Sequence, residues 1–175
     1  MAENLAVTKY NDGEEISLVV DNWVWQDTIS SDGFYSWYDN TEAKYGALYN
    51  WRAVSSGKLC PAGWRVPTEE DWTILIDHLG GREIAGGKLK EAGSVHWTRP
   101  NVGATNSSGF TALPGGYRWH GGNFNNVKRS GSWWTSTSNY SGSGVAYSLH
   151  SGHTEIEPHN YLFRIGASVR CIKEE

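Results

Sequence analysis

The chain has 175 residues and a net charge of −4, with charged residues at 19%, below the roughly 25% of average globular chains. Its longest basic run is Lys128-Arg129, which argues against nucleic acid as a main partner, because phosphate binding needs a concentrated basic surface. No apolar run approaches the roughly 18 residues of a membrane span. Met1 runs straight into Ala-Glu-Asn without a signal-peptide pattern, so an exported form is expected to have lost its signal or carried it upstream.

The length predicts one domain over residues 1–175, burying about 70% of its unfolded surface. Ten Trp, nine Tyr and 21 Gly stand against one Met. Heavy rings with many glycines suggest a loop-rich β or α+β fold.

In chain order, Ile16–Val20 lies between two turn pairs, and Phe34–Tyr38 follows Asp32-Gly33; both read as strands. Tyr45–Val54 fits a short helix. Thr68 is a helix N-cap with Asp71 three residues on. Trp72, Leu75, Ile76 and Leu79 then form one apolar face, and Gly80-Gly81 closes the helix at 69–79. A shorter helix is expected near Ile84–Glu91, weakened by Gly86-Gly87. From Trp97 on, helical periodicity fades. Phe110–Leu113, Gly116–Trp119, Gly131–Ser136, Val145–His150 and Ala167–Ile172 read as strands, with polar loops near 120–130, 138–144 and 151–164.

Cys60 and Cys171 lie 111 positions apart with no C-x-x-C. That excludes a zinc ribbon or thioredoxin motif and leaves a structural disulfide and two unpaired core cysteines both open. His150-x-x-His153 with His159 offers ligand-type side chains. The segment is not a convincing helix, so exposed loop histidines are expected and no metal site. Glu157-Pro-His-Asn160 is similar to the Glu-Pro-Asn tripeptide of calcium-dependent lectins, but His replaces the Asn and no Trp-Asn-Asp follows. No cofactor is expected, and a structural calcium stays open.

Nucleophilic catalysis finds no Gly-x-Ser-x-Gly elbow, and the carboxylate clusters are explained by helix capping and solvated ends. The chain is therefore expected not to be an enzyme. Loop aromatics and amides carry the better signal: Trp119, His120, Asn123, Asn125 and Asn126 in one loop, Asn139 and Tyr140 in a second, His150, His153, Glu155, His159, Asn160 and Tyr161 in a third. Flat rings beside amides suit sugar faces and protein hot spots. With Tyr147 added, the expected binding face is the surface of 119–126, 139–140 and 147–161. One of Trp133 and Trp134 must point inward if both lie in a strand. Trp23, Trp25, Trp51, Trp64 and Trp72 read as structural.

The segments Met1-Ala-Glu-Asn-Leu5, Tyr45-Gly-Ala-Leu-Tyr-Asn-Trp51, Cys60-Pro-Ala-Gly-Trp-Arg-Val-Pro-Thr-Glu-Glu-Asp-Trp72, Gly86-Gly-Lys-Leu-Lys-Glu91, Gly109-Phe-Thr-Ala-Leu-Pro-Gly-Gly-Tyr-Arg118, Trp133-Trp-Thr-Ser-Thr137 and Ser168-Val-Arg-Cys-Ile172 resemble the Fibrobacter succinogenes major paralogous domain family, in order and over essentially the whole chain. The resemblance implies an α+β C-type lectin-like fold of the formylglycine-generating-enzyme subtype: two helices, a small twisted antiparallel sheet and long loops. It implies a Cys60–Cys171 disulfide and exported or lipid-anchored bacterial proteins, notably of Bacteroidetes and Fibrobacteres. The copper-binding cysteine pair of the formylglycine-generating enzymes has no counterpart here, so the fold would be kept without the chemistry.

Domains of this subtype also serve as variable proteins of diversity-generating retroelements. By that resemblance, Leu113–Arg118, Gly121, Phe124, Gly131, Trp133-Trp134, Ala146, Leu149 and Ser168–Cys171 would be fixed scaffold, and the loop residues named above would vary. The expected function is a receptor or adhesin at a cell surface for a protein ligand. The alternative is a carbohydrate-binding module stacking sugars on Trp119 and Tyr140 or Tyr161, and a formylglycine-generating-enzyme-like enzyme comes third.

Overall fold

The structure, a computed structural model, describes residues 1–26, 31–40, 44–139 and 142–174. In chain order it contains β1 (Ser17–Leu18), α1 (Asn22–Trp25), β2 (Phe34–Ser36), β3 (Leu48–Tyr49), α2 (Trp51–Val54), β4 (Trp64–Arg65), α3 (Glu69–His78), α4 (Arg82–Leu89), β5 (Tyr117–Arg118), β6 (Phe124–Asn125), β7 (Ser130–Asn139), β8 (Ser143–His150), β9 (Ile156–Leu162) and β10 (Ile172–Lys173).

The α3 helix forms where its caps demand it. The Thr68 side chain accepts from the Asp71 backbone, and the Asp71 carboxylate accepts from Thr68 N at 2.7 Å, a complete capping box. Arg65 adds a fork of two bonds to the same carboxylate, at 2.6 and 2.9 Å. Those Arg65 bonds, seconded by Thr68, hold Asp71 well below the usual carboxylate range. In α4 the glycine pair is required by close approach. A Cβ on Gly86 would stand 2.6 Å from Thr154 O, and one on Gly87 2.5 Å from Gly103 O. The pair that weakens helix propensity is what lets two loops pack against the helix.

The longest strands form the antiparallel sheet β7-β8-β9. Trp133 and Trp134 project to opposite faces and both are fully buried. Trp133 joins Trp72, Ile76, Leu89, Trp97, Leu149 and Ile156 beneath α3 and α4, while Trp134 joins Tyr49, Trp51, Val54, Leu59 and Val169 on the other side. Their indole N–H groups donate to Asn4 Oδ1 and Tyr49 O, each at 2.8 Å, so neither ring buries an unpaired donor. The Cys60–Cys171 disulfide lies in the second cluster, with its Cα atoms 6.0 Å apart.

The expected α+β C-type lectin-like architecture needs correction. The described residues form ten strands in four small sheets and four α-helices, more β-rich than two helices on one sheet, and no barrel closes. The pairing of β1 with β2 is parallel, outside an all-antiparallel core. Local chemistry accounts for the fragmentation. Asn50 accepts from Phe34 N and Ala53 N, so it ends β3 and caps α2 where one helix over 45–54 was expected. Expected strands at 16–20, 34–38 and 116–119 shrink to two or three residues, and Phe110–Leu113 keeps one bridge, Lys90 to Ala112. The last expected strand survives as β10 and bridges at Ala167 and Ser168. The expected 151–164 loop contains β9, an edge strand that tolerates Pro158 because, among the described residues, no strand pairs with its outer side.

Candidate ligand-binding surface

The β5–β6 hairpin is held by one buried cation. Arg118 lies between the rings of Trp25 and Phe124, 4.3 and 4.8 Å from their centroids. It donates to Val19 O, to Gly122 O at 2.8 Å, to Val20 O at 3.1 Å and to Asn22 Oδ1 at 3.0 Å. Burial lowers its pKa to about 10, so it stays charged at neutral pH. Gly122 is forced: its φ is +92°, and a Cβ would meet Asn22 at 2.6 Å. This anchoring presents Trp119 at the hairpin tip, 43% exposed, with Tyr117 at 6.0 Å and His120 at 4.7 Å between ring centroids.

From there a strip of side chains crosses the sheet. Tyr117 lies 6.1 Å from Tyr161 on β9, whose ring stacks on His159 at 5.3 Å and meets Trp134 edge-on at 5.8 Å. The Tyr161 hydroxyl sits 3.4 and 3.3 Å from Ser132 and Ser148, which bond each other at 2.8 Å. Glu157 follows on the same face, 3.7 Å from His159 Nε2 and 3.8 Å from His153 Nε2. His153 stacks on His150 at 5.2 Å. Alternation along β9 produces this face, with Gly144, Ala146 and Ser148 of β8 paired to Tyr161, His159 and Glu157.

The structure thus brings Trp119, His120, His150, His153, His159 and Tyr161 together. It places the remaining expected residues elsewhere. Tyr147 is buried and stacks on Trp72 at 5.2 Å, a core role in place of the expected binding role, because its register with Trp133 points it under α3. Asn160 faces away from Tyr161 and accepts from Asn139 Nδ2 at 2.9 Å. Glu155 pairs with Arg82 of α4 at 3.7 Å. Asn123 and Asn125 shape the hairpin, through Asn123 O accepting from Trp119 N at 2.7 Å and from Asn125 Nδ2 at 3.1 Å. Asn126 has φ +63° and its carbonyl closes the turn into β7. Tyr140 lies outside the described residues.

Sequence reasoning passed over Tyr117, and it read Glu157 as part of a lectin-like tripeptide within the 147–161 face without singling it out. The period-two pattern Glu157, His159, Tyr161 was the available signal, hidden by Pro158. Trp25, Trp51 and Trp72 are core as expected, and Trp64 is half-buried. Trp23 departs from the structural reading at 80% exposure.

Beneath the strip, Lys90 is fully buried and donates to Val102 O, His150 O and His153 O at 2.9, 2.9 and 2.8 Å. Burial pulls its pKa down to about 8. Burial, then the neighbouring His153, lowers His150. Among the described residues no three His, Cys, Asp or Glu side chains converge as a metal-ligand set. No described helix is long and apolar enough to cross a membrane. Chemically, the strip offers ring faces for stacking, imidazoles and one carboxylate for hydrogen bonds, and a rigid sheet below.

The chain matches the sequence model of the Fibrobacter succinogenes major domain family over residues 1–173, and it belongs to that family. Neither the curated proteins nor the solved structures include a match to it.

Proposed function

We propose that this domain is a non-enzymatic extracellular ligand-binding module, of the kind that diversity-generating retroelements vary, with the strip from Trp119 to His150 as its binding face. The observation that carries the reading is the continuity of that strip: rings and imidazoles from three separate segments meet on one open surface over a packed sheet. Loops carried by a rigid scaffold are the usual home of binding. The Cys60–Cys171 disulfide fits an oxidising compartment.

The encoding locus tests the retroelement part. A neighbouring reverse transcriptase, with a template repeat matching the codons of residues 113–172, would support it. Mismatches should then fall at template adenines under strip residues and spare Arg118, Trp133 and Trp134. An intact locus with neither element overturns that part. Binding is tested by displaying the domain to surface proteins and a glycan array, with Trp119→Ala as control. Turnover of a peptide or glycoside substrate by the purified domain would overturn the non-enzymatic reading.

A carbohydrate ligand is the second reading. Trp119 and Tyr117 present adjacent rings, with Asn125 paired across the hairpin from Tyr117, a suitable platform for a sugar face. Retention on insoluble polysaccharide, lost in Trp119→Ala, would support it over a protein ligand.

A further inference from the structure

We propose that the turn from His150 to His153 is an acid-operated latch at one end of the binding strip, closed while the His150 imidazole is neutral and opened when it takes up a second proton. The proposal rests on reading the strip as a binding face, and it names how that face would be regulated.

The geometry of the turn depends on neutral rings. Gly152 donates its backbone N–H to His150 Nδ1 at 2.9 Å. A ring nitrogen that accepts carries no hydrogen, so this bond exists only for the neutral ring protonated at Nε2. A second proton converts the acceptor into a donor facing another donor. His153 Nδ1 is buried and has no hydrogen-bond partner among the described residues, so the stacked neighbour offers no acceptor to a newly placed N–H in the turn. The rings stack nearly parallel, at 5.2 Å and 13°, which sets any second charge against the first.

The surroundings reinforce this. Lys90, from the end of α4, sits under the turn and holds the carbonyls of both histidines. Arg129, from the turn before β7, adds a second fixed cation on His150. Glu157 on β9 opposes them, but it lies between His153 and His159 and serves both. Glu155 is held by Arg82, and Glu83 meets the segment only through its carbonyl, which accepts from Thr154. Around the stacked pair, among the described residues, two cations, Lys90 and Arg129, thus face one carboxylate, Glu157, whose pull on His150 exceeds the push of either cation alone. The turn's other ties are two backbone bonds, Ser151 N to Arg129 O and Val102 N to Ser151 O, both 2.8 Å. Opening moves His153 away from Glu157 and remodels the strip beside His159 and Tyr161.

The test is amide hydrogen exchange by NMR on the whole domain, at about pH 7.5 and about pH 5, compared as protection factors. Gly152 and Ser151, whose amides are bonded in the turn, should lose about tenfold or more of their protection at the lower pH, while Trp133 and Ala146 in the sheet keep theirs. His150→Asn keeps an acceptor near the Nδ1 position but cannot titrate, so its turn should stay protected. The latch is overturned by unchanged protection in the parent protein, by equal loss in His150→Asn, or by loss that extends to Trp133 and Ala146. Titration of the His150 ring in the parent protein gives an independent reading: opening at a pH where that ring has not titrated also overturns it. None of this needs a ligand. A pH-stable turn removes the latch and leaves the binding face standing, whereas absence of Trp119-dependent capture removes the binding face and leaves the opening of the turn measurable.

Discussion

Replacing Lys90 by methionine tests whether a buried cation that bonds no carboxylate among the described residues holds this fold together. Its ammonium donates three hydrogen bonds, all to backbone carbonyls, and it lies 5.7 Å from the centre of the Trp97 ring. Bonds to charged groups contribute about 1.5–3 kcal/mol each. Lys90→Met removes all three and leaves Val102 O, His150 O and His153 O without this donor. Relief from burying a charge offsets part of that loss. The expected net cost is about 3–5 kcal/mol, the scale for removing one partner from a buried charged network, against a total stability of about 5–15 kcal/mol. Urea unfolding at neutral pH measures it, as a lower midpoint at unchanged slope. A loss below about 1 kcal/mol would refute the reasoning, because desolvation would then cancel the bonds.

The pH dependence gives a second check on the same residue. Burial places the Lys90 pKa at about 8 in the fold against its ordinary 10.5. Between those values the unfolded chain binds the proton more strongly, so this group makes stability rise with pH across that window. Below it the contribution is level. Lys90→Met should flatten the rise.

The remaining predictions concern three other features. Reducing the Cys60–Cys171 disulfide, or replacing both cysteines by alanine, should lower stability by about 4–5 kcal/mol on the chain-entropy model, read as a reductant-dependent urea midpoint. Gly144→Ala sets a methyl 2.2 Å from Cδ1 of buried Trp51, which is itself stacked on Phe163 at 4.3 Å; a loss of about 1–3 kcal/mol is expected in thermal melts. Asp71, lowered by Arg65, contributes stability that is complete above its ordinary pKa of 3.8 and is lost as pH falls below it. Asp71→Asn should therefore flatten the acid limb of the stability curve and cost about 1 kcal/mol at neutral pH through the broken cap.

Legibility in the sequence followed how local the determinant was. The α3 helix is set by Thr68, Asp71 and one apolar face within a dozen residues, and its expected span of 69–79 overshoots Glu69–His78 by one residue. The cysteine bridge was legible by resemblance to the family, since spacing alone left it open. The β9 strand was hidden because Pro158 reads as a break; only its position at the sheet edge removes the conflict. Tyr147 and Tyr161 look alike as sequence, and their opposite fates come from a register fixed by long-range pairing with β7 and β9. Residue type alone picked out six side chains that the structure brings onto one face, Trp119, His120, His150, His153, His159 and Tyr161. The place of Tyr117 beside Tyr161, and of Glu157 between His153 and His159, became visible only once the hairpin and β9 met.

The disulfide also decides how the domain answers mechanical load. Every residue of the proposed binding strip lies between Cys60 and Cys171 in the chain. A pull on the two flanks can unravel the segment ahead of Cys60 and the few residues after Cys171, but the covalent loop between them carries no tension. At roughly 3.5 Å per residue, that limits the extensible length to about 200 Å where the full chain would give about 600 Å. Unravelling the segment ahead of Cys60 would take Val19, Val20, Asn22 and Trp25 away from Arg118 and Tyr49 away from Trp134, so load on that flank would loosen the Trp119 hairpin while β7, β8 and β9 stay inside the covalent loop.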